Sequence, residues 1–177
     1  MKLAWVQFGL LLGLALVLVI ILSIGETTNG HGFNHETIPQ LQQGGSGWGR
    51  HGRLLWAGLA FGLLQIFFYV ACLALGAQRQ GQLGPFKRPL LIGGLIYSAI
   101  YSAMILAYRT YAAELDHSLV WIFPLPTALM LFGLWPAPAL FIVLFIWGFD
   151  RWIMRPEDHE RFRQIIAARR QREGGDG

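Results

Sequence analysis

Apolar positions in this chain do not alternate with polar ones. They gather into four long runs, at residues 3–24, 54–76, 90–111 and 127–149, with the charged residues left to the gaps between them. Each run has the length a membrane-crossing helix needs, about 20 residues at a rise of about 1.5 Å each. Only 14% of the 177 residues are charged and 54% are hydrophobic, against the roughly 25% charged residues of a soluble domain. The pattern predicts an all-α integral membrane protein: a four-transmembrane-helix bundle over residues 1–152 and a separate basic tail over residues 153–177. The first run has a competing reading as a secretory signal, with Lys2 ahead of it and Ser23-Ile24-Gly25 as a cleavage-like end. It is longer than the usual 7–15-residue core of such a signal, so a retained span is the expectation.

Inside the runs, small residues recur at helical spacing. Gly9 and Gly13, Gly58 and Gly62, and Gly94, Ser98 and Ser102 each stand four apart. In a membrane such stripes let another helix approach closely. Gln65 is the clearly polar residue deep in the second run and is expected as a buried amide bonded across a helix interface, because an unpaired amide in hydrocarbon is costly. The third run also carries Tyr97, Tyr101, Tyr108 and Tyr111, which leave open a tyrosine-lined cavity, although Tyr108 and Tyr111, beside Arg109 at its end, are expected as an interface anchor. In the fourth, Pro136 and Pro138 each remove a backbone donor, which predicts a kink near the middle of the membrane.

The intervals differ in kind. Residues 25–53 are glycine-rich and predict an irregular loop holding His31, His35 and His51 with Glu26 and Glu36. The spacing of His31 and His35 would suit a metal only on a helix, which Gly30 and Gly32 disfavour. Residues 112–126 form a second loop, ending in the apolar segment Trp121–Pro126, which is expected to lie in the membrane interface. The tail opens on Pro156, Glu157 and Asp158 and closes on Arg169, Arg170 and Arg172, which is the order a helix dipole favours. Phe162, Ile165 and Ile166 make one narrow apolar face, so the tail is expected to be an amphipathic helix contacting a partner or the anionic membrane surface through these residues, Arg169 and Arg170.

Charge then sets orientation. Four spans place both termini on one side, and eleven of the fourteen Lys and Arg residues fall there. The positive-inside rule puts both termini in the cytoplasm of a multi-pass cell-membrane protein, with the His/Glu loop outside. The net charge of +4 belongs to these flanks, so no nucleic-acid partner is expected. Cys72 stands alone and excludes an intramolecular disulfide. No Asp, Glu, Lys, Arg or His falls in the centre of a run, where ion and proton pathways usually place one. No cofactor is predicted and no catalytic residue or metal ligand set stands out. Ser98 and Ser102 have no neighbouring base in the sequence pattern.

These features lead to a non-catalytic accessory or anchor subunit, bound to membrane lipid and to a larger inner-membrane transporter or respiratory complex. The architecture is similar to that of small subunits of this kind. Two alternatives come from particular residues. A quinone- or haem-binding membrane anchor for electron transfer would use Gln65, the tyrosines, His51 and His117. A small metal-using membrane protein would act through the outward His/Glu loop.

Overall fold

The computed structural model describes residues 2–24, 33–38, 40–43, 47–113 and 118–173. Four helical segments are long and apolar enough to cross a membrane: Leu3–Ser23, Leu55–Ala77, Gly84–Ala112 and Leu125–Ile153. They correspond to the four runs, and most of their ends fall within a few residues of those expected. Helix α1 covers Lys2–Ser23. A short helix, α2, covers Gly47–His51, ahead of α3 at Leu55–Ala77. Helix α4 covers Lys87–Ala112 and follows a single 3₁₀ turn at Gly84–Phe86. It starts three residues before the apolar run because Pro89, lacking an N–H, is at home in a first helical turn.

The fourth span is built in pieces. Helix α5, Leu125–Leu129, widens into a π turn at Met130–Leu134, and α6 resumes at Ala137–Gly148. The prolines explain the break. Neither Pro136 nor Pro138 can donate to the turn before it. The Trp135 N–H instead reaches back five residues to the Met130 carbonyl at 3.0 Å. Pro138 then falls in the first turn of α6, where no donor is required. A second π turn, Phe149–Ile153, ends the span, and α7 runs over Pro156–Glu173.

The intervals hold more order than the expected loops. Strands β1 (Phe33–Asn34) and β2 (Gln42–Gln43) pair antiparallel. So do β3 (Leu119–Val120) and β4 (Phe123–Pro124). The β3–β4 hairpin turns at Trp121, whose φ is +58°, and lifts Trp121 and Ile122 out at 83% and 80% exposure. An apolar tip of this kind suits the membrane interface. Arg109 lies 5.8 Å from the rings of both Trp48 and Trp56, joining α2, α3 and α4 at this end.

The spans pack in chain order: α1 on α3, α3 on α4, and α4 on the segments of the fourth span. Contact between the first and fourth spans is at most marginal. The array is therefore an open row and not a closed ring. Its tightest packing is at the end where α1 begins and the fourth span finishes. There Ala74, Ala77, Phe86, Leu90 and Phe141 are buried together, with Leu3 and Trp152 against them.

Two notches in the backbone make this end fit. A Cβ at Gly84 would run into the Trp152 indole, and one at Gly148 into the Phe86 ring. The Trp152 Nε1–H donates at 3.0 Å to the carbonyl of Ala77, the last residue of α3, whose carbonyl has no partner within its own helix. A tight turn follows α3, with positive φ at Gln80 and Gly81. It presents Arg79, whose guanidinium donates both Nη groups to the Asp158 carboxylate at 2.6 and 2.9 Å. That carboxylate also accepts from the Arg155 N–H at 3.1 Å, which caps the start of α7. The tail helix is thus latched at its first turn, while Phe162 and Ile165 stay exposed at 57% and 60%.

The latch predicts a pH response. Hydrogen bonds from Arg79 hold the Asp158 carboxyl below its usual range. A group whose pKa is lowered on folding stabilises the folded state above its ordinary pKa and loses that contribution as pH falls through the lowered value. Protease release of the tail from detergent-solubilised protein should therefore be flat from pH 8 to pH 5. It should rise only below about pH 4, where carboxylates protonate. Asp158→Asn should release the tail across the whole range. A rise centred near pH 6 in the unsubstituted chain would point to a different group.

Candidate functional site

The concave side of the row holds an open cleft of about 640 Å³. Each span contributes to its wall. Leu14 comes from α1, and α3 supplies Phe61, Gly62, Gln65, Ile66, Phe68 and Tyr69. Helix α4 adds Tyr97 and Tyr101, and the broken span adds Leu134 and Pro138. The proline break thus forms one wall of the cleft. Its size falls within the range typical of small-molecule sites, and its lining has their character, mostly apolar with a few polar groups.

Gln65 is the eleventh of the 23 residues of α3, roughly 15 Å along the axis from the helix start. That places it about midway through a hydrocarbon layer of about 30 Å. Expected as a buried polar residue, it is instead exposed to the cleft. Among the described residues its amide has no hydrogen-bond partner. The reason is the open packing: with the first and fourth spans apart, no helix crosses in front of it. The hydroxyls of Tyr69 and Tyr97 likewise have no hydrogen-bond partner among the described residues. Tyr101 differs, donating to the Gly58 carbonyl at 3.0 Å. The Tyr69 and Phe141 rings, edge-to-face with centroids 5.6 Å apart, connect α3 to α6 beside the cleft.

A second glutamine shows the contrast. Gln7 on α1 donates its amide to the Cys72 sulfur on α3 at 2.8 Å. Sequence reasoning passed over this pair, although Gln7 is as polar as Gln65 and lies in the first apolar run. The signal was present in the residue type, but the partner could be found only by knowing which face of α3 meets α1.

The small residues expected at helix contacts divide into two sets. A Cβ placed at Gly13 would lie 3.6 Å from the Leu64 side chain and one at Gly94 3.2 Å from Val70, while one at Gly62 would run into the Tyr101 ring. Among the described residues nothing lies within 4 Å of a Cβ placed at Gly9 or at Gly58. Ser98 is buried with its Oγ unbonded, and Ser102 is half-buried. The occupied glycine notches receive side chains.

The remaining candidates lie elsewhere. Ile166, Arg169 and Arg170 are exposed along α7 with Phe162 and Ile165. Glu157 and Arg161 stand four apart on that helix without closing an ion pair within 4 Å. His35 sits in the β1–β2 hairpin, its Nδ1 accepting the Thr37 N–H at 3.2 Å. His51 packs against Tyr108 with ring centroids 6.3 Å apart. His31, Glu26 and His117 lie outside the described residues. Among the described residues no group of three His, Cys, Asp or Glu side chains is placed to hold a metal. At the terminal end a shallower groove of about 440 Å³ is lined by Asp150, His159, Glu160 and Arg163. No protein-family model, curated protein or solved structure matches the chain.

Proposed function

We propose that this chain is a non-catalytic accessory subunit of a larger transporter or respiratory complex, in a cell membrane with both termini in the cytoplasm. The observation that carries this reading is the state of the first span. Helix α1 packs mainly on α3, no residue of its membrane-crossing window is buried, and Gly9 faces open space. Trp5, Phe8, Leu12 and Leu16 are exposed beside it. A helix with most of its circumference free and a glycine notch on that side is suited to a closely packed neighbour from another chain. The exposed apolar residues of α7 offer that partner a second contact outside the bilayer.

The test is purification from native membranes in mild detergent through a tag after Gly177, read by native mass. A stoichiometric membrane protein is expected with the unsubstituted chain and is expected to be lost with Gly9→Leu, whose thermal unfolding in detergent should be unchanged. A chain that emerges alone from native membranes would refute the subunit reading.

A further inference from the structure

We infer that the cleft between the spans is a binding site for a neutral, lipid-soluble, flat conjugated cyclic diketone of the quinone class. The argument starts from cost. An amide in hydrocarbon without a hydrogen-bond partner is several kcal/mol less stable than a bonded one. Gln65 is such an amide at the membrane midplane, and the unbonded hydroxyls of Tyr69 and Tyr97 share its cleft. Three polar groups in one cleft call for an occupant that supplies hydrogen-bonding atoms at that depth.

Depth and charge narrow the class. A phospholipid keeps its headgroup at the interface, roughly 15 Å away, and brings only hydrocarbon to the midplane. Among the described residues no charged side chain lines the cleft, so an ionic ligand would enter without compensation. The available groups are one amide, which donates and accepts, and hydroxyls that can donate. A ring carbonyl accepts from both kinds. The remaining walls are aromatic and aliphatic, with Phe61 and Phe68 beside the tyrosines, and a flat ring stacks on such surfaces. Leu14 and Leu134 line other parts of the cleft and suit an aliphatic chain. The first and fourth spans make little contact with each other, so such a compound can enter between them from the lipid.

Occupancy of the cleft does not depend on α1 docking to another chain, and its test can be read on the isolated protein. The full chain in nanodiscs is titrated with decylbenzoquinone and, separately, with decylbenzene, which has a flat six-membered ring and the same tail but lacks carbonyls. Saturable binding of one quinone per chain is expected, with affinity about tenfold lower for decylbenzene and for Gln65→Leu, as the loss of a hydrogen bond in a dry site implies. Tyr97→Phe keeps the ring and should also weaken the quinone, which keeps the test usable if one variant fails to fold. Absence of saturable quinone binding would overturn the inference. So would equal affinity for the two compounds, since the cleft would then be a hydrocarbon-filled gap. A partner helix that fills the cleft and blocks the quinone in the purified complex would overturn it as well.

Discussion

Phe86→Ala should lower the stability of the solubilised protein by about 3 kcal/mol, within the range for truncating a buried aromatic. Phe86 is 1% exposed. Its ring lies 5.2 Å from that of Phe145 and above the bare backbone of Gly148. It is held by a single 3₁₀ turn between α3 and α4, yet it touches the end of the fourth span. It therefore ties the connection between α3 and α4 to the fourth span. In a membrane the loss is mainly one of packing, because lipid is as apolar as the contacts removed. The measurement is denaturant or thermal unfolding in detergent, followed by tryptophan fluorescence. Gly148→Ala sharpens it. Alone, that substitution forces a methyl group into the Phe86 ring and should cost about 1–3 kcal/mol. In the Phe86→Ala background the same methyl group enters the empty space, so its cost should nearly vanish. Additive losses would mean that the two residues do not share this contact.

The four spans were legible because length and apolar composition suffice to define a membrane helix, whatever it packs against. The break in the fourth span has the same local origin: the donors missing at Pro136 and Pro138 are a property of those residues alone. The terminal knot was not. Gly84 and Gly148 stand outside any four-residue repeat, and each matters because an aromatic ring from another span arrives over it. Asp158 was read as a helix-start charge and Arg79 is one of the eleven basic residues counted on its side of the membrane, but their pairing depends on a turn whose two central residues take positive φ. The short hairpins escaped because two-residue strands leave no alternating pattern. Gln65 was partly legible. Its need for a partner follows from its chemistry, whereas the absence of one within the described chain follows from an open row that composition does not encode.

The small-residue stripes predict a contrast that tests how the spans adhere. Gly62→Ala should destabilise by about 1–3 kcal/mol, the usual cost of overpacking, while Gly58→Ala, one turn away on the same helix, should not. The two positions are alike in residue type, helix and surroundings of sequence. They differ in that Gly62 lies beneath the Tyr101 ring while a Cβ at Gly58 would meet nothing within 4 Å. A methyl group at position 62 must push the Tyr101 ring aside, and the Tyr101 hydroxyl would then leave the Gly58 carbonyl it now meets at 3.0 Å. Tyr101→Phe separates these effects: it removes the hydrogen bond but keeps the ring, so its loss should be smaller, near 1 kcal/mol. Because Gly62 and Tyr101 both line the cleft, Gly62→Ala should also change its affinity for any occupant, and Gly58→Ala should leave that affinity alone. Equal losses of stability at positions 58 and 62 would show instead that the helices approach backbone to backbone along the whole stripe, with the Tyr101 ring following that approach and not setting it.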